Sequence, residues 1–266
     1  MEPWEASVSP AKPRFDVKRA SHVPAQTAET IKALARRPPP PAAAALARGV
    51  HPGSERWPVK TGTDPDAAEV GTNSAAGANS AGIVDTTVEE MINLPRPPGL
   101  TDITADPPEF QDKRAQPVEF TVWQVKADIT VIKKESDGDL HIVLQGDSGD
   151  TMVAESPTPH APFVGAASPW LAVMTEVRTK IAEKFGPQLA GTSLPSATAG
   201  AAPVSVPASH PKGHAALFEA LAPFQTKVAR TPAIVTGVGF FDRSHGQTGM
   251  AKNVIELHPI LAIEFP

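Results

Sequence analysis

The chain is 266 residues long, with 24 Lys+Arg against 29 Asp+Glu, 30 Pro, 19 Gly, no Cys and no Tyr. The missing cysteine excludes a disulfide scaffold, a thiolate-held metal and a thiol nucleophile, and a formal charge of −5 disfavours a general polyanion binder, whose affinity rests on cations displacing counterions. Proline and glycine exceed their usual share without reaching that of a wholly unfolded chain, so part of the sequence is expected to fold and part to form arms and linkers.

Residues 1–50 carry one short helical signal, Ala28 to Arg37, stopped by Pro38 to Pro41, and read as a disordered or partner-wrapping tail. No stretch approaches the length of a membrane span, and Met1 to Pro24 lacks the apolar core of a signal peptide; the compartment stays unassigned. Residues 51–115 read as a loop-rich extension. Within it, Trp57 with Glu55, Arg56 and Lys60 marks a segment able to dock on the following domain or complete it, and Asp64 to Asp85 reads as a loop. Thr87-Val88-Glu89-Glu90 has the spacing of a capping box and predicts a short helix over 87–94, ended by Pro95.

The β signals begin at residue 116. Val118, Phe120 and Val122 are apolar at even positions and Val125, Ala127, Ile129 and Val131 at odd ones, so the phase reverses near Val122-Trp123. Such a reversal predicts one long strand bent between two faces, because a one-residue slip turns every side chain over. The turn Ser136 to Asp139, the alternating run Leu140 to Leu144, the turn Gly146 to Asp150 and the run Thr151 to Glu155 complete a three-strand meander. Ser168-Pro169 opens an amphipathic helix through Trp170, Val173, Met174, Val177, Ile181 and Phe185, closed by Gly186-Pro187. Residues 187–232 read as a low-complexity insertion with a short helix at Ala215 to Leu221, after which Ala233 to Phe241 and Val254 to Phe265 read as strands. Pro259 is expected at an edge or a bulge.

Three strands, a helix and two strands resemble the OB-fold, a five-strand Greek-key barrel whose first strand serves both sheets. The expected fold is therefore mainly β with α: an OB-like barrel over 116–266, one helix between strands three and four, the insertion, and the long N-terminal extension. The runs Asp137 to Leu144, Gly237 to Gly249 and Ile255 to Pro259 resemble a family of uncharacterised bacterial proteins, a resemblance that implies no activity and no catalytic residue.

Gly146-Asp147-Ser148-Gly149 copies four letters around a serine-protease nucleophile, but Asp150 follows it and no double barrel precedes it, so it reads as a hairpin turn. Asp137, Asp139 and His141 alternate as metal ligands on an extended chain would. The loop from Asp242 to Asn253 packs Asp, Arg, His, Gln, Thr, Lys and Asn between two apolar strands, in the place where an OB-like barrel flanks its ligand, with His258 on the phase opposite to the buried residues. The candidate ligand-binding residues are Trp123, Lys133, Lys134, His141, Phe241, Arg243, His245, Gln247, Lys252, Asn253 and His258; no catalytic residue, metal or cofactor is assigned at this level.

Three functions compete. The first is a non-enzymatic binding or assembly module attached to a protein partner through residues 1–115. The alternative is single-stranded nucleic-acid binding, with Trp123, His141 and Phe241 stacking bases beside Lys126, Lys133, Lys134, Arg243 and Lys252; the 11 basic and 14 acidic residues from Pro117 onward weigh against it. The third is a metal-assisted hydrolase using Asp137, Asp139, His141, Asp242, His245 and His258. Convergence of His141, Asp242, His245 and His258 in space moves the third reading to first place.

Overall fold

The computed structural model describes residues 55–71, 82–135, 137–159, 163–164, 167–189 and 224–266. The tail over 1–50, most of the insertion and the expected helix at 215–221 lie outside them.

The described chain is a six-strand mixed sheet with a few helices. Strands β1 (Ile83–Thr86), β2 (Val122–Lys134), β3 (Leu140–Gln145), β4 (Thr151–Ser156), β5 (Phe224–Phe241) and β6 (Ile255–Glu264) lie in the order β1-β2-β3-β4-β6-β5. Because β5 also pairs antiparallel with β2, from Val122↔Val238 to Lys134↔Phe224, five of the six strands form a ring. β1 stands outside it, parallel to the first residues of β2. β4 and β6 meet in parallel at Val153↔Glu256 and Ala154↔Leu257, with the helix α3 (Leu171–Phe185) between β4 and β5 in sequence.

Two boundaries differ from the sequence reading. Val118–Phe120 is a 3-10 turn rather than strand, so the reversed phase at Val122-Trp123 marks where β2 starts. All three turn residues are buried, and their apparent alternation has no pleat behind it. The irregularity of β2 lies between Ile129 and Val131, where the pairings to β3 and to β5 both shift. β5 begins at Phe224, inside the expected insertion: Gln225, Lys227, Ala229 and Arg230 are exposed, so this stretch carries no apolar stripe. Pro259 lies inside β6 opposite a register shift of β5 between Gly237 and Gly239.

One layer of the core is apolar. Ile129 and Ile132 of β2, Leu140, Ile142 and Leu144 of β3, Met152 and Ala154 of β4, Val235 and Phe241 of β5 and Ile255 and Leu257 of β6 form the main cluster, with Val177 and Ile181 of α3 packed into it. The adjacent residues on the same strands point the other way. They too are buried: β3 and β6 are covered on both faces. Toward one end this second face is apolar, where Val122, Val238 and Leu261 meet Trp170, Val173, Met174, Ala67 and Val70. Toward the other end it carries His141, Glu155, Glu256 and His258.

The segment that covers this face is the helix α1 (Trp57–Thr61) with the 3-10 turn Pro65–Glu69. Two buried ion pairs hold it. Arg56 reaches Glu119 through both oxygens, at 2.8 and 2.7 Å, and Arg114 reaches Asp64 at 2.9 and 2.6 Å. Glu119 also accepts from the backbone N–H groups of Ala115 (2.6 Å) and Phe241 (2.9 Å). Trp57 donates its indole N–H to the Phe163 carbonyl at 2.9 Å. The Thr87 capping box forms with both of its bonds and starts the short helix α2 (Val88–Met91).

Candidate metal centre

The β3–β4 hairpin sets the geometry. Its turn at Gly146 to Gly149 fixes the register in which His141 stands opposite Glu155, and the parallel pairing of β4 with β6 brings His258 alongside. Glu155 is shared by the two histidines: one carboxylate oxygen lies 2.8 Å from His141 Nδ1 and the other 3.2 Å from His258 Nδ1. On its far side, His258 Nε2 is 3.4 Å from Asp139 Oδ2, and Glu256 is 3.9 Å from Nδ1. One oxygen or nitrogen each from Asp139, Glu155 and His258 lies within 4.8 Å of the others, and a second such trio is Glu135, His141 and Glu155.

These groups are buried without adequate partners. Both oxygens of Asp139, both of Glu256 and both ring nitrogens of His258 have no hydrogen-bond partner of good geometry among the described residues. Side-chain exposure is 0% for His258 and 1% for Asp139 and Glu256. Burial, then the neighbouring Asp137 and Glu155, pushes the Asp139 carboxyl well above its ordinary range; burial, Glu155 and Asp242 do the same to Glu256. Burial also lowers His258. Glu155 goes the other way: burial opposes its charge, but the hydrogen bond with His141, the close approach of His258 and the field of Lys60 outweigh it and hold this carboxyl well below the usual range.

The cleft above the cluster has a volume of about 260 Å³ and is lined by Glu55, Lys60, Glu135, Asp137, Glu155, Asp242, Arg243 and His245. Lys60, brought by α1, stands 3.8 Å from Asp242. Burial works against its charge, yet Asp242, Glu155, Glu256 and Asp139 together raise its pKa, so the ammonium persists. His245 lies 3.5 Å from Asp242, which also accepts from Gln247 at 2.9 Å. Arg178 of α3 approaches from below, donating to the carbonyls of Gly138 and Ser156; burial lowers its pKa to about 10.

Of the four residues whose convergence decides between the readings, His141 and His258 flank Glu155, while Asp242 and His245 line the cleft and belong to neither ligand trio. The other candidates are engaged elsewhere. Trp123 donates to the Val118 carbonyl at 3.1 Å and packs on the core, and Phe241 is fully buried. Lys133 pairs with Glu135 at 2.9 Å, Lys134 is buried, and Arg243 pairs with Glu55 and, at 3.0 Å, with Asp106. Lys252 donates to Asn93 at 2.5 Å, while Asn253 donates to the carbonyls of Met91 and Leu94 and so braces α2. Ser148 bonds Glu89 and Asp150, with no histidine among its partners in the described residues.

The sequence reading assigned none of Glu155, Glu256 and Lys60 to a site. Glu155 had a signal, because a hairpin turning at Asp147-Ser148 pairs it with His141. Lys60 had only the docking signal of the Trp57 segment, which does not say where on the sheet that segment lands. No helix among the described residues is long and apolar enough to cross a membrane. No family model, curated protein or solved structure matches the chain.

Proposed function

We propose that the chain is a metal-dependent hydrolase on an OB-like ring, with Asp139, Glu155 and His258 as metal ligands. The observation that carries this reading is the burial of Asp139 and His258 beside Glu155, at 1% and 0% side-chain exposure, with four polar atoms lacking hydrogen bonds. An unpaired carboxylate in such a place costs several kcal/mol, and a divalent cation offsets that cost. The strand ring, the parallel β4–β6 pairing and the position of α3 support the OB-like description.

A divalent ion here would lower the pKa of a bound water toward neutrality and polarise a substrate oxygen. Lys60 supplies a fixed positive charge to the cleft, suited to an oxyanion. Asp242 holds Lys60 and His245 in place, and His245, 41% exposed, is the proton carrier nearest the opening. Against the nucleic-acid reading, Lys133, Arg243 and Lys252 are engaged by Glu135, by Glu55 and Asp106, and by Asn93. Residues 55–71 pack on the chain's own strands, which leaves less of 1–115 for a partner.

Metal analysis of the purified full chain tests this, followed by ester hydrolysis assays after reconstitution with Mn2+, Zn2+ or Mg2+. Bound metal that Asp139→Asn loses, with turnover reduced by His245→Ala, is the expected result. A chain that takes up none of the three ions and whose melting temperature ignores them refutes the proposal.

A further inference from the structure

We infer that the centre takes two divalent cations, bridged by Glu155, and that its substrate is a phosphate ester. The inference rests on the metal-centre reading above and deepens it. Glu155 turns its two oxygens toward two different histidines, each backed by a further carboxylate: Asp139 beyond His258 at 3.4 Å and Glu135 beside His141 at 3.6 Å. Each trio has the span of one coordination sphere, and Glu155 belongs to both.

His141 is oriented for this role. Its Nε2 lies 2.8 Å from the carbonyl oxygen of Thr248, which can only accept, so Nε2 carries the hydrogen. Nδ1 then faces the Glu155 oxygen at 2.8 Å, a contact that a ring proton bridges in the ion-free chain and that a divalent ion would take over. A ring N–H given to a backbone carbonyl, with the other nitrogen facing a carboxylate, is the arrangement that orients metal-bound histidines. The Asp242 to Asn253 loop thereby positions His141 through one peptide group.

The two positions differ in access. Asp139 and His258 lie beneath the cleft floor, so an ion there is enclosed; Glu135, with 22% side-chain exposure, opens the other position to the cleft. Paired ions sharing a carboxylate clamp the attacking and leaving oxygens of an in-line displacement at phosphorus. In that reaction a water on the cleft-side ion would pass a proton to His245 on the cleft wall and attack phosphorus. The bond to the leaving oxygen breaks with its electron pair, and the alkoxide takes a proton, so ester and water give phosphate and alcohol.

The test is Mn2+ binding to the metal-stripped full chain, read by calorimetry and electron paramagnetic resonance. Two ions per chain with an exchange-coupled spectrum are expected, falling to one uncoupled ion in His141→Ala. Glu135→Gln, on the partly exposed wall, should weaken the cleft-side ion about tenfold or more and carries the test if the buried variant fails to fold. Inorganic phosphate should alter the coupled spectrum; no change refutes the substrate class. A stoichiometry of one overturns the two-ion centre and leaves the single-metal reading standing, whereas a stoichiometry of zero removes both.

Discussion

Replacing Arg56 by methionine tests whether the covering segment is part of the fold. The Arg56 side chain is 1% exposed and donates five hydrogen bonds: two to Glu119 and one each to the carbonyls of Phe110, Lys113 and Phe241, all between 2.7 and 3.0 Å. Methionine fills similar space, so the cavity left is small. The polar loss is large. Glu119 keeps only the N–H groups of Ala115 and Phe241 for a fully buried charge, and three carbonyls lose a donor. Breaking one side of a buried ion pair costs about 3–5 kcal/mol, roughly a fifth or more of the stability of an ordinary domain. Urea denaturation followed by tryptophan fluorescence reads it, since Trp170 is fully buried and Trp57 lies on the affected helix. Adding Glu119→Gln to Arg56→Met removes the stranded charge, so the double variant should lose less than the two single losses combined, with a coupling of about 1–3 kcal/mol. A loss under about 1 kcal/mol, or strict additivity, refutes the claim that α1 is held by this pair.

Mn2+ should raise the melting temperature of the stripped chain and EDTA should reverse the shift. Because burial and neighbouring carboxylates raise the Asp139 pKa, a bound ion competes with its proton and binding should tighten as pH rises; flat affinity from pH 6 to 8 would contradict this. In the metal-free chain, burial opposes the charge of His141, but the bond and charge of Glu155, the Thr248 carbonyl and Glu135 raise its pKa above 6.5. Its contribution is therefore fully present below pH 6.5 and lost as pH rises through the folded value, so the melting-temperature gap between wild type and His141→Gln should close above neutrality. A gap that widens with pH would reverse the sign. Gly249→Ala places a methyl group 2.5 Å from Val143 at a φ of +78°, so the loop must shift, taking the Thr248 carbonyl from His141; Mn2+ affinity should fall with little change in helix content by circular dichroism.

Much of the β pattern was legible because one face of each strand is apolar: Leu140, Ile142 and Leu144 read as a strand and are one, and the Thr87 box caps the helix it predicts. The start of β5 was not legible, since most of its first residues are exposed and are held by pairing to β2 rather than by burial. Alternation also misled at Val118–Phe120, where a tight turn buries three consecutive residues, one of them the Glu119 carboxylate. For the site, out-of-phase His141 and His258 stood out as polar residues on β patterns. Their position beneath a cover depends on Arg56 and Glu119, which are 63 residues apart, and local periodicity carries no such information.

Glu119 joins three remote stretches of chain: the start of α1 through Arg56, the turn at Ala115, and the end of β5 through the Phe241 amide. Closing the ring and seating its cover are thus a single cooperative event. An intermediate with the strands assembled and α1 undocked would strand a naked anion in the interior, together with the histidines and carboxylates of the outer face. Lifting α1 from the assembled strands is therefore costly, because the covered face opens only when Glu119 also gives up Arg56.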